Sequence, residues 1–155
     1  MAFKQSKQVL ANKALPEPAR HADGVHVIGE VLIPTGLAAG DIVEMCGIPA
    51  NCIPTACTLV TEDCDSATGM TIDCGILSGS FGDSVNARTM GNEFFAASTV
   101  AQAGGVQATN KFNGLMLSPT TADRGVGIKF VAIGTPIVGA RLRLLLNVVA
   151  APAGV

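Results

Sequence analysis

The sequence predicts an all-β protein: an antiparallel β-sandwich or jelly-roll-like barrel with an extended N-terminal arm. Three observations carry that expectation. Apolar and polar residues alternate with period two in several separate segments, turn-forming residues cluster between those segments, and no inter-strand stretch sustains a 3.6-residue apolar period. Seven or eight short strands at this spacing indicate a sandwich or barrel, and βαβ units are disfavoured.

In chain order, residues 1–24 stand apart as an arm and residues 25–155 form the β domain. The arm holds four cations (Lys4, Lys7, Lys13, Arg20) against Glu17 and Asp23, and Pro16-Glu17-Pro18 enforces extended backbone. Two readings stand: a frayed terminus, or a segment that lies on a neighbouring subunit by strand addition. Val25 to Ile33, Ile42 to Ile48 and Ile53 to Thr61 read as strands. Met70, Ile72, Cys74 and Ile76 then alternate with Thr71, Asp73 and Gly75. A short helix is expected within Asn92 to Ala103, ending before Gly104-Gly105, and a strand over Gly114 to Ser118. Val126, Ile128, Phe130 and Ala132 alternate over the next strand. The clearest pattern is the last, where Val138, Ala140, Leu142, Leu144, Leu146 and Val148 point one way and Arg141, Arg143 and Asn147 the other.

Composition removes several function classes. The chain has 155 residues, 48% hydrophobic and 14% charged, which suits one folded domain rather than a disordered chain. It has no Trp, no Tyr and only six Phe, too few large rings for base- or sugar-stacking platforms. A net charge of −2 argues against direct nucleic-acid binding. No run of 18 apolar residues predicts a membrane helix, and no secretory h-region follows Lys4 and Lys7. The five cysteines (46, 52, 57, 64, 74) are odd in number and lack Cys-x-x-Cys spacing. They read as reduced thiols made in a cytoplasm, serving as small buried hydrophobes, with one cross-strand disulfide left open. His21 and His26 lie outside that cluster, so no zinc site is expected.

The catalytic search returns little. Glu62, Asp63 and Asp65 form an acidic knot, but Ala67 fails at the next calcium-ligand position, and a solvated turn is the expectation. Gly75-x-x-x-Gly79-x-x-Gly82 lacks the Lys-Ser/Thr of a phosphate cradle and reads as a flexible connection ahead of Asn86 and Arg88. Gly125-Val126-Gly127 reads as a turn into a strand. A serine elbow is absent, and His21 and His26 flank Asp23 without a nameable nucleophile. No catalytic residue, cofactor or metal is therefore assigned. From Asp41 to Asp83 there are seven acids and no Lys or Arg. That is a solvated acidic face in a monomer, or an orienting charge in an assembly.

Gly40-Asp41-Ile42-Val43-Glu44-Met45 leads to Ile48-Pro49-Ala50-Asn51-Cys52-Ile53-Pro54, and Glu62-Asp63-Cys64-Asp65 and Met70 to Gly75 follow. Then come Phe94-Phe95-Ala96-Ala97-Ser98-Thr99-Val100-Ala101-Gln102-Ala103-Gly104-Gly105 and Thr121-Ala122-Asp123-Arg124-Gly125-Val126-Gly127. This order, over most of residues 25–150, resembles the capsid decoration or cement proteins of tailed bacteriophages. The resemblance implies a virion structural protein: a homotrimer or other small oligomer outside the icosahedral shell that bridges adjacent major capsid subunits. The interface residues expected on this reading are Lys4, Lys7, Lys13, Arg20, Arg141 and Arg143. Competing expectations are a tail-tube or head–tail joining protein, and a small β-barrel hydrolase using Asp63, Asp65 or His26.

Overall fold

The structure is a computed structural model and describes residues 3–5, 24–84 and 87–152. Nine strands run in the order β1 (Phe3–Gln5), β2 (Val25–Leu32), β3 (Ile42–Ile48), β4 (Cys52–Thr61), β5 (Thr71–Ile76), β6 (Phe95–Ser98), β7 (Gly105–Ala108), β8 (Arg124–Ala132) and β9 (Arg141–Ala150). They form two sheets, β1-β3-β8-β5-β6 and β2-β9-β4-β7, antiparallel except that β1 runs parallel to β3. This is the expected β-sandwich.

The period-two segments bury the side predicted. Leu142, Leu144, Leu146 and Val148 of β9 are wholly buried, while Arg141 and Arg143 face outward. Each such burial stabilises the fold by about 1.5–3 kcal/mol relative to an exposed side chain. They meet Val126, Ile128 and Phe130 of β8 and Ile72 and Cys74 of β5 in one core. At Gly29 of β2 the two sheets come so close that an added Cβ would fall inside the contact distance of the Met45 carbonyl oxygen. Gly29→Ala is therefore expected to lower stability by about 1–3 kcal/mol. The readout is a lower denaturant midpoint with an unchanged slope.

Three local expectations are corrected, and one strand is added. The helix within Asn92 to Ala103 is instead β6 followed by a single 3-10 turn, Val100–Gln102. Phe94 and Phe95 are both fully buried beside β5, and Ala97 takes a positive φ of 49° that no α-helix tolerates. The strand over Gly114 to Ser118 is replaced by a one-turn helix, Phe112–Leu115, because Gly114 packs directly on Phe94 and its N–H bonds the Glu93 carbonyl at 2.9 Å. Strand β9 begins at Arg141 rather than Val138, since Ile137–Ala140 makes a turn with Gly139 at φ +87°. Gly104-Gly105 leads straight into β7, which the sequence reading did not include.

Of the 1–24 arm, Phe3–Gln5 forms β1 on the chain's own β3. Lys7, Lys13, Arg20 and His21, with the Pro16-Glu17-Pro18 stretch, lie outside the described residues, as does the side chain of Lys4.

Candidate functional site: one bare sheet face

The two sheets differ in what covers them. On the outer face of the five-stranded sheet, Gly75, Gly125 and Gly127 supply no side chains, and Leu77, Arg88, Met90, Gly91 and Glu93 pack into the space they leave. A Cβ on Gly127 would stand 2.6 Å from Leu77 Cδ1 and 2.7 Å from the Val43 carbonyl oxygen, and one on Gly125 would overlap Glu44 Oε1. The Gly125-Val126-Gly127 pattern thus makes room for a cover, where a simple turn into a strand was expected. The stretch after Gly75 is likewise tied down rather than a loose connection. Arg88 donates from Nε to the Ser78 carbonyl at 2.6 Å and from Nη1 to the Asp83 carbonyl at 3.0 Å. Asn86 lies outside the described residues.

Beneath this cover is a buried ion pair. Arg88 Nη1 stands 3.0 Å from Glu44 Oε2, and the side chains are 3% and 0% exposed. Gly82 N–H donates to the same carboxylate at 3.2 Å, and Gln5 of β1 reaches it at 3.5 Å while donating to the Gly82 carbonyl at 3.0 Å. Burial raises the Glu44 carboxyl above its ordinary range, outweighing the Arg88 charge and these hydrogen bonds, which pull it down.

The outer face of the four-stranded sheet has no such layer among the described residues. Cross-strand register places Ile28 beside Leu145, Thr58 and Ala108 in one row, and Glu30 beside Arg143, Val60 and Val106 in the next. Ile28 is 52% and Val106 69% exposed, an apolar pair of edges around a charged centre. In that centre Arg143 Nε pairs with Glu30 Oε2 at 2.5 Å, and Arg141 Nε lies 3.8 Å from the same oxygen. Arg141 N–H also donates to Glu62 Oε2 at 2.7 Å. Both arginines are half-exposed, on the outward face expected of them. His26 is exposed at the far end of this face, opposite Asn147.

The acidic segment is not the uniform solvated face that its sequence suggests. Asp41, Glu44 and Asp65 are buried, at 2%, 0% and 1% exposure. Asp65 in particular is no solvated turn residue. Its Oδ2 accepts the N–H groups of Gly69 and Met70, each at 2.6 Å, and its Oδ1 those of Ala67 at 3.2 Å and Thr135 at 2.5 Å. Burial pushes its carboxyl up, yet the four donors prevail and hold it below the ordinary 3.8. Both oxygens are thus committed to fastening the 65–70 turn onto the 134–136 loop.

The hydrolase constellation does not assemble. Asp63 accepts the Asp65 N–H at 3.2 Å, but His26 pairs with Asn147 while Thr61, just before the acidic knot, pairs with Leu142. That register separates them by about 17 Å along the sheet. The five cysteines are free and buried. Burial raises the thiols of Cys46 and Cys74 well above their ordinary range, and neighbouring Cys57 reinforces both shifts. Such thiols are poor nucleophiles.

Similarity to solved structures supplies the class. No family model and no curated protein matches this chain. Among solved structures, a chain in the capsid of Ralstonia phage GP4 superimposes with a TM-score of 0.91. It is 34% identical, and the match covers 98% of this chain and 100% of that one. A chain in the cyanophage Pam1 capsid asymmetric unit shares the fold, with a TM-score of 0.57 and 23% identity over 92% of this chain and 96% of that one. The protein is a phage capsid-associated structural protein. It belongs to the same family as the Ralstonia phage GP4 capsid chain.

Proposed function

We propose that this protein is a decoration protein, made in the host cytoplasm, that binds the exterior of a phage capsid and stabilises it by bridging adjacent major capsid subunits as a homotrimer. The observation that carries this reading is the end-to-end likeness to a chain of a phage capsid, which favours a shell component over a tail-tube or head–tail joining protein. The bare face of the β2-β9-β4-β7 sheet supplies the contact surface. Its exposed apolar edges, Ile28 and Val106, give area, and the Glu30–Arg143–Arg141 centre gives orientation. An interface of about 800 Å² per partner suffices for a specific contact. Linked copies turn the second and third contacts into intramolecular events, so a modest single contact becomes a firm hold. The arm of residues 1–24, with Lys4, Lys7, Lys13 and Arg20, extends this grip to a neighbouring subunit.

Co-sedimentation with shells stripped of this protein tests the reading. The wild-type chain is expected to pellet with mature shells and not with free capsid monomers. The paired substitution Ile28→Glu and Arg143→Glu is expected to weaken binding at least tenfold while leaving the fold intact, because an exposed ion pair contributes at most about 1 kcal/mol to stability. Removing residues 1–20, β1 included, is expected to weaken association as well. Wild-type protein that stays in the supernatant, strictly monomeric by light scattering, would refute the proposal.

A further inference from the structure

Arg124 opens β8 and carries a guanidinium that the described fold does not satisfy. Its Nε and one of its Nη atoms are shut off from solvent and have no hydrogen-bond partner among the described residues. The register Arg124↔Ile48, Gly125↔Gly47 and Val126↔Cys46 gives Arg124 the parity of the core residue Val126. The side chain therefore projects toward the inner side of the sheet, at the end where β8 begins, rather than onto the covered face. The adjacent acid is already engaged, since Asp123 Oδ1 accepts the Ala50 N–H at 2.8 Å. The surrounding backbone is fastened too: Asn51 N–H bonds the Thr120 carbonyl at 2.7 Å, and Ala151 N–H bonds the Asn51 carbonyl at 2.9 Å.

We propose that Arg124 is a docking point for a carboxylate carried by a neighbouring chain of the capsid shell; this rests on the shell-binding reading above. A guanidinium stays charged under all working conditions, and its planar fork matches a carboxylate with two parallel hydrogen bonds. Buried N–H groups without acceptors destabilise the free chain. Dehydration of two of its three nitrogens has already been incurred before any partner arrives, while the residue keeps partial exposure, so a carboxylate that meets the fork loses less to desolvation and keeps more of the attraction. An ion pair within the chain would have removed that incentive; Arg124 makes none among the described residues, and Oδ1 of the adjacent Asp123 is engaged by the Ala50 N–H.

The test pairs two measurements on Arg124→Gln and Arg124→Lys: thermal stability of the isolated protein and binding to shells stripped of it. Arg124→Gln is expected to melt at or above the wild-type temperature, because it removes an unsatisfied cation, and to bind shells at least about tenfold more weakly. Arg124→Lys, which keeps the charge but not the fork, is expected to fall between. A lower melting temperature for isolated Arg124→Gln would mean an acceptor within the chain itself, Glu17 and Asp23 being the first to check, and would overturn the inference. Wild-type-like shell binding by Arg124→Gln would overturn it equally. Failure of the wild-type protein to bind shells would overturn the shell-binding reading first, and this inference with it.

Discussion

Arg88→Met is expected to cost about 3–5 kcal/mol, the range for breaking a buried ion pair by removing one partner. For a chain of this size that is a fall in melting temperature of roughly 10 °C. The loss arises because Glu44, at 0% exposure, stays behind with only the Gly82 N–H and the Gln5 amide, among the described residues, to stabilise its charge. The same substitution frees the Ser78 and Asp83 carbonyls that hold the cover in place. The double variant Glu44→Gln/Arg88→Met is expected to recover part of the stability, since a neutral amide needs no buried counter-charge. The pH dependence gives a second readout. Burial already raises Glu44 above 4.5 in the wild type, so its contribution is fully favourable below that value and is lost as pH rises through the raised one. Without Arg88 the shift grows, so the gap between variant and wild type is expected to narrow as pH falls from neutral toward 4.5. A constant gap would show that the lost packing of Arg88, not the stranded carboxylate, sets the cost.

How much of this is legible in the sequence follows from what each residue packs against. Strand β9 could be read because one face lies in the core and the other is wet, and such a pleat writes itself as alternation; β5 and β8 could be read because their core-facing apolar residues alternate with Thr71, Asp73 and Gly75 and with Gly127 and Lys129, although the outer face is covered. Strand β3 is buried on both faces and shows no alternation, so only its length and flanking turns marked it. The edge strands β1 and β7 are three and four residues long, too short for a repeat to distinguish them from loop. The glycines at 75, 125 and 127 signalled special backbone, but their purpose depends on a cover that arrives from elsewhere in the chain. The Glu44–Arg88 pair likewise joins residues 44 positions apart, beyond any local pattern. Arg141 and Arg143 were legible as an outward pair. That both lean on Glu30 follows only from the β2–β9 register.

Asp65→Asn is expected to cost about 3 kcal/mol through a different mechanism. The carboxylate receives four backbone N–H groups, two on each oxygen. An amide keeps one accepting oxygen and turns an NH₂ toward two of those donors, so at least two buried N–H groups lose their acceptor and meet a like dipole. Hydrogen bonds to a charged group contribute about 1.5–3 kcal/mol each, and part of that is regained by rearrangement. Here the acid response runs opposite to that of Glu44. The folded value of Asp65 lies below 3.8, so its stabilisation is present above 3.8 and is lost as pH falls through the depressed value. Wild-type protein is therefore expected to lose stability on acidification in that window, whereas Asp65→Asn, with no charge left to protonate, is expected to start lower at neutral pH and to lack this part of the acid loss. Urea unfolding at neutral pH and at about pH 3 separates the two curves. If they stayed parallel across the whole range, the four N–H groups would be fastening a neutral oxygen as well as a charged one, and the turn would owe its hold to the buried Met70 and the backbone bridge to Pro136.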